Sequence, residues 1–553
     1  METRRTSDGA DSDYVPLPGA RGSNRIFEES KSVRFLRVLS FIADEQTVNK
    51  LGDRMGPGTA VVFMLNSLTG LSLLTLPFGF AQTGLLLGAV TVLLCMAMSY
   101  ITATFMLEAL TIANALNYEK AEDKAIEKHG IRERLHKEKL TYESTPGAKE
   151  VIEKRDTLDL FKDEVRAKNA VSEFKIRERV ELGAMGQAVL TSRMGRWGST
   201  AIYVIILSFT YGTAAALVVT VSESLGHTAV SAAALIGLHP PAQNTAYTAS
   251  VIFAFFTTLP LCFTNLQKTK KFTIGIMILR FLAIGIILVV ASVKSFQRIS
   301  TEGFSNVVQS IPMWRPEGFV AVFGNSIFLC CLHHYLPSMI SPLDPQEKAP
   351  GVIMKAFSIC YLLMIAICTT ALMAWNAETS PECSSDPGGN YCRIQPLYNL
   401  NFAPLAWGDG VVALFLLAYP AMALSAIPIA AITTRNTVGQ WLGIAPPDPE
   451  APYTTSNILL TLSVVVPPFT VALLTTDVQA VIQYVGGYAG LSVSFIVPLI
   501  LLRKCRQALS LDRPHFKGLY RPLKSMFGNR CGYLLVVLAY LFALVLVTKK
   551  LFF

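Results

Sequence analysis

The stretch from Thr59 to Gly84, TAVVFMLNSLTGLSLLTLPFGFAQTG, constrains this chain more than any other. At about 1.5 Å per residue it can cross a hydrocarbon core of roughly 30 Å, yet its middle carries Asn66, Ser67, Thr69, Gly70 and Ser72, with Pro77 beyond. Backbone polar groups in hydrocarbon must be satisfied internally. An interruption of this kind is therefore tolerated only where it is buried in protein or lines a wet cavity. The pattern predicts a discontinuous helix, with a first half to about Leu68, an unwound Thr69-Gly70-Leu71-Ser72, and a second half from about Leu73. Unwinding leaves carbonyls at the end of one half and N–H groups with a positive dipole end on the other, a pairing that suits a zwitterion or an ion.

The interrupted stretch is one of eleven apolar windows, near residues 59–83, 85–112, 199–223, 246–266, 272–293, 318–341, 352–375, 409–433, 455–475, 479–502 and 531–548. With 52% hydrophobic and only 16% charged residues, a soluble globular class is excluded and an all-α integral membrane protein of eleven spans is expected. Residues 1–55 are polar, without an uncharged apolar core. No cleavable signal is expected, and the N-terminus is expected in the cytosol. Residues 56–117 then hold spans 1 and 2, residues 118–198 a charged cytosolic insertion leading into span 3, residues 199–548 spans 3 to 11, and residues 549–553 a short luminal C-terminus. On this threading the 48 Lys and Arg gather mainly on the cytosolic side, in the N-tail, the insertion and the segment before the last span, as the positive-inside rule requires. The net charge of +9 is then accounted for by basic juxtamembrane residues facing an anionic leaflet, with no nucleic acid partner.

The sixth window, GFVAVFGNSIFLCCLHHYLPSMISPL, is the second interrupted one, with Gly324, Asn325 and Ser326 before its midpoint and His333, His334 and Pro337 after it. Two broken helices, each opening a block of five spans, point to an inverted-repeat carrier with its site between them, spans 1 to 5 and 6 to 10 forming the halves and the eleventh added. The candidate substrate-binding residues are Asn66, Thr69, Gly70, Leu71 and Ser72 on the first window, and Asn325, Ser326 and Cys330 on the sixth. Arg280 lies deep in the fifth window, where central insertion costs about 2.5 to 3.5 kcal/mol, so it belongs to an ion or substrate pathway or is satisfied by carbonyls of an unwound helix. His334 is the candidate proton carrier, and Ser425, beside Pro428 in the eighth window, a hydroxyl for a coupling cation. Glu108 is expected at the cytosolic interface and Glu223 at the luminal one. Cys383 and Cys392 bracket a Gly/Pro/Ser-rich luminal loop and form the expected disulfide. Tyr14-Val15-Pro16-Leu17 matches a tyrosine sorting pattern, which implies a sorting adaptor as partner. Neither a catalytic constellation nor metal-ligand spacing nor a cofactor motif is present, so an enzyme is not expected.

NSLTGLSLLTLPFGFAQTG resembles the first helix of the amino acid/auxin permease superfamily. FKIRERVELGAMG, NLQKTKKF, HHYLPSMISPL, YNLNF, IPIAAITTRN and YVGGYAGLSVSFIVPLIL are similar to the transmembrane protein 104 branch of that superfamily, over most of residues 57–510. The resemblance implies an eleven-span LeuT-like fold, a 5+5 inverted repeat plus one helix. It implies amino acid transport coupled to sodium or protons, through a site lined by spans 1, 3, 6, 8 and 10. Asn66 falls where sodium-coupled relatives carry a site Asn. Where those relatives place a Thr two residues before the matching Pro, this chain has Ala426, with Ser425 displaced by one, which favours protons or no coupling. Relatives in animals are often endolysosomal, which implies an endomembrane location. The expected activity is secondary active transport of small neutral amino acids. The alternative is an amino acid sensor signalling through the N-tail or the insertion, and a third reading is a scaffold with a degenerate site.

Overall fold

The computed structural model describes residues 54–128, 174–190, 193–263, 270–375, 393–402, 415–416, 418–444, 454–511, 521 and 523–552. The expected disulfide at Cys383 and Cys392, the sorting motif at Tyr14 to Leu17 and most of the insertion lie outside the described residues. Every described element is helical, and the only β-type pairing among the described residues is the bridge between Met55 and Leu343. In chain order the helices are α1 (Pro57–Leu68), α2 (Ser72–Thr83), α3 (Leu85–Lys128), α4 (Leu182–Val189), α5 (Arg193–Leu235), α6 (Gln243–Cys262), α7 (Lys270–Glu302), α8 (Phe304–Ser310), α9 (Phe319–Cys330), α10 (Leu336–Ile340), α11 (Ala349–Trp375), α12 (Ala426–Leu442), α13 (Thr455–Leu474), α14 (Val478–Tyr484), α15 (Val497–Leu511) and α16 (Arg530–Phe552). Between α14 and α15 the chain stays wound, with the wider π pitch over Val485–Gly490 and Ser492–Ile496.

Among the described residues eight spans are long and apolar enough to cross a bilayer, or nine when α1 and α2, bent by 56° at their junction, are taken as one. This is a multi-pass integral membrane protein. Of the eleven expected windows, three differ from a plain span, the first being the bent pair α1 and α2. The sixth is the short pair α9 and α10. The eighth is described only from residue 415 and opens with a tight 3-10 stretch, Tyr419–Ser425, packed on α5 and α7 before α12 begins. α3 runs without interruption past residue 117 to Lys128, so the start of the insertion continues the second span as one helix.

The two interrupted windows lie antiparallel. α2 packs on α9, and α1 packs on α10. The stretch Pro316–Gly318 meets the end of α2, where the Thr83 hydroxyl donates to the Gly318 carbonyl at 2.8 Å. At the opposite end Met55 N–H donates to the Pro342 carbonyl at 2.8 Å. These two ends of the bundle are called the Thr83 end and the Pro57 end below.

In the sixth window the winding is lost at Cys331 to Tyr335, after the cluster Gly324-Asn325-Ser326 and before Pro337. The cause is Pro337, whose ring clashes with the carbonyl four residues back, at His333, and which has no N–H to donate there. Asn325 and Ser326 stay helical because their side chains return hydrogen bonds to their own turn, Nδ2 to Ala321 and Oγ to Val322. Gly324 serves close approach, since its carbonyl lies where a Cβ on Gly486 would stand. Gly486→Ala is therefore expected to separate α9 from the π-wound stretch at a cost of about 1 to 3 kcal/mol, read as a lower melting temperature of the solubilised protein. An unchanged melting temperature would show that the two backbones move apart freely.

Candidate functional site

The break in the first window falls at Thr69, Gly70 and Leu71, with Ser72 already the first residue of α2. Its cause is a rerouting of backbone acceptors. Thr69 gives both its N–H and its hydroxyl to the Leu65 carbonyl, at 2.8 and 2.7 Å. The next helical bond would run from Gly70 N–H to the Asn66 carbonyl, but Arg280 on α7 donates to that carbonyl and to Asn66 Oδ1, both at 3.0 Å. Among the described residues no backbone carbonyl accepts from Gly70 or Leu71, while Leu74 N–H resumes the ladder at Leu71. The guanidinium thus caps the C-terminal end of α1, where the helix dipole is negative, and leaves two N–H groups at the head of α2, where it is positive. Arg280 and Asn66, both candidates for ion coupling from the sequence, meet directly.

At the second break His333 is fully buried with Nε2 2.9 Å from the Thr102 hydroxyl of α3, and among the described residues its Nδ1 has no hydrogen-bond partner. His334 turns the other way, its ring 4.9 Å from that of Phe209 on α5, its buried Nδ1 also without a hydrogen-bond partner among the described residues. Cys330, the last residue of α9, is fully buried.

Above both breaks, Gln479 on α14 joins four segments. Its Nε2 donates to the carbonyls of Thr75 on α2, at 3.1 Å, and Pro396, at 2.8 Å, while its Oε1 accepts from Asn325 on α9 at 2.9 Å. Gln479 forms part of the wall of a cavity of about 750 Å³ at the Thr83 end, reached also by Phe78, Glu223 and Gln395.

The Pro57 end is tied together by buried polar contacts. Glu108 of α3, with no exposed side-chain surface, accepts two hydrogen bonds from Arg506 of α15, at 2.8 and 2.6 Å, and one from the Ser525 N–H at 2.9 Å. Arg521 stands 3.4 Å away. Glu108, late in the second window and expected at the interface there, has its carboxylate buried at the centre of this lock rather than facing solvent. The Asn114 carboxamide oxygen accepts from the N–H groups of Arg177 and Glu178, at 2.9 and 2.8 Å, and Gln346 pairs with both backbone groups of Ile176. The end of the insertion is thereby stitched across this face of the bundle.

The family described as transmembrane amino acid transporter protein matches residues 53–142 and 165–543, the greater part of the chain. The chain belongs to that family. Its relatives include the transmembrane protein 104 homolog of Dictyostelium discoideum, 24% identical over 515 residues covering 90% of this chain and 97% of the relative. The transmembrane protein 104 of Homo sapiens is 24% identical over 493 residues, covering 84% and 90%. The homolog of Drosophila melanogaster is 22% identical over 530 residues, covering 89% and 96%. Membership brings amino acid transport as the class of activity.

Within this transporter-family chain, the structure places the sequence candidates in three groups. Asn66, Thr69, Gly70, Leu71 and Ser72 lie at one break with Arg280 against them. Asn325 and Ser326 lie a turn or more before the other break, Asn325 bonded to Gln479, while Cys330 immediately precedes that break and His334 lies within it. Ser425 ends the 3-10 stretch of the eighth window. Gln479 and the partners of Glu108 were missed. One of two amides, Gln479 and Gln483, at the start of the tenth window was the available signal for Gln479, whereas nothing local ties Glu108 to Arg506, which are 398 positions apart.

Proposed function

We propose that this chain is a secondary active transporter of small neutral amino acids that works by alternating access, with eleven spans in a LeuT-like 5+5 inverted repeat plus one. The observation that carries the reading is the first break. Arg280 holds the Asn66 carbonyl away from Gly70, so the N–H groups of Gly70 and Leu71 face the position where a substrate carboxylate would rest, and the end of α1 supplies acceptors for its ammonium group. Thr69, Ser72, Asn325, Ser326 and Cys330 complete the proposed substrate surroundings.

Coupling is to protons or sodium, with His334 as the proton carrier and Ser425 with Asn66 at the cation position. Ala426, where relatives carry Thr, favours protons. In this reading the Pro57 end is cytosolic and closed, and the C-terminus is luminal in an endomembrane compartment. Proteoliposomes containing the full chain are expected to show counterflow of an amino acid such as alanine, stimulated by an inward proton gradient more than by a sodium gradient. Saturable binding with no counterflow under either gradient would overturn transport. That outcome would favour the second reading, a sensor, which is supported by the docking of residues 176–178 onto Asn114 and Gln346, a physical link between the insertion and the Pro57 end.

A further inference from the structure

Residues 174–181, which lead from the insertion into α4, form no helix, yet Phe174, Ile176 and Val180 are each at most 5% exposed. A buried stretch without a helical ladder needs partners elsewhere for its backbone polar groups. Two side-chain amides supply them. Asn114 of α3 donates from Nδ2 to its own Leu110 carbonyl at 3.0 Å, which orients Oδ1 to accept from the N–H groups of Arg177 and Glu178. Gln346, just before α11, meets Ile176 with both ends of its carboxamide, Oε1 accepting from the N–H at 2.9 Å and Nε2 donating to the carbonyl at 2.8 Å. All of these bonds go to backbone, so what they hold is the path of the chain.

Both ends of this strap reach other parts of the bundle. At its start the Phe174 ring lies 5.9 Å from the Arg521 guanidinium, a cation–π contact, and Arg521 stands 3.4 Å from Glu108, so the strap meets the Glu108 lock. At its finish Glu181 interacts electrostatically with Tyr335 in the second break and with Tyr203 on α5. The chain then enters α4, which packs on α5, α12 and α15, with Gly183 so close to the Tyr203 ring that a Cβ there would overlap it. One run of chain thus fastens α3 and the approach to α11, through side-chain amides, to α5, α12 and α15, through packing. Moving α3 and the approach to α11 away from α5 and α12 at this end breaks the amide bonds or pulls α4 from its seat.

We infer that residues 174–181 are an autoinhibitory strap, an internal ligand that holds the Pro57 end shut until it undocks from Asn114 and Gln346. What opening accomplishes rests on the alternating-access reading above, whereas docking and opening are measured without transport. The test is hydrogen–deuterium exchange of the full chain in nanodiscs, comparing wild type with Gln346→Met and with Asn114→Ala. Gln346 is half-buried, so methionine removes both bonds to Ile176 without opening a core cavity. Each variant is expected to speed exchange about tenfold at residues 176–178 and also at residues 331–335 in the second break, while residues 395–402 at the Thr83 end stay within about twofold of wild type. In proteoliposomes Gln346→Met is expected to raise alanine counterflow about threefold, because the open form is more populated. Faster exchange confined to the strap overturns the inference, since undocking would then leave the end shut. Faster exchange spread equally to residues 395–402, with a lower melting temperature, also overturns it and makes the strap a clamp on overall stability. Absence of counterflow in wild type and variant alike strikes the transport reading, and exchange at residues 331–335 still decides the strap.

Discussion

Gly70→Leu is expected to abolish amino acid uptake in reconstituted vesicles without lowering the amount of folded protein, while Gly70→Ala is expected to transport within about threefold of wild type. A Cβ added at Gly70 meets only the Ser67 carbonyl oxygen, at 3.6 Å, an ordinary contact, and Gly70 is not among the glycines of positive φ, so alanine fits both the space and the backbone. Leucine carries its branch into the open space beside the N–H groups of Gly70 and Leu71, where the carboxylate is proposed to sit. A hydrogen bond to a charged group contributes about 1.5 to 3 kcal/mol, so losing both donors would cost at least about a hundredfold in affinity. The measurement is initial uptake rate against surface-normalised protein amount for the three residues. Wild-type transport by the leucine variant would remove this break from the substrate path.

The position of that break was legible because its sequence signal is local, even though Arg280, which holds it, lies 214 positions away. A polar, glycine-bearing interruption inside an apolar run admits few foldings in a bilayer, and winding is lost at Thr69 to Leu71. The second break shows where local reading stops. Gly324, Asn325 and Ser326 are small or polar, but in this fold the glycine admits the backbone of Gly486, and Asn325 bonds an amide 154 positions away, so the helix continues to Cys330. Pro337 decided the matter, and its effect four residues upstream was written in the sequence. For Arg280 the expectation of either a pathway charge or a partner for unwound carbonyls was correct in its second half, since the guanidinium bonds the Asn66 carbonyl. What composition and periodicity do not encode is pairing between distant spans. Gln479, Thr75, Pro396 and Asn325 converge from four segments, and each alone reads as an ordinary polar residue in or near an apolar window.

Arg506→Ala is expected to be the most destabilising single change at the Pro57 end. It leaves the Glu108 carboxylate fully buried with one N–H donor and Arg521 at 3.4 Å, and removing one member of a buried ion pair costs about 3 to 5 kcal/mol. Arg506 also donates to the Gly528 carbonyl and to the Tyr533 hydroxyl, so it joins α3 and α15 to the segment before α16. Lysine at 506 is expected to restore only part of the loss. A single ammonium does not reproduce the planar fork that meets both carboxylate oxygens while holding Gly528. Glu108→Gln should be milder than Arg506→Ala, because the arginine left behind retains about a quarter of its side-chain surface in solvent, 24% against none for Glu108. The decisive comparison is the double variant Glu108→Met with Arg506→Met. An apolar pair of similar volume removes the stranded charge along with the attraction, so its melting temperature is expected to recover more than half of what Arg506→Ala loses. If the double variant melts no higher than Arg506→Ala, the cost does not come from a stranded carboxylate. The contribution of Arg506 would then lie in its bonds to Gly528 and Tyr533, as a clamp on the last span rather than a partner of the second.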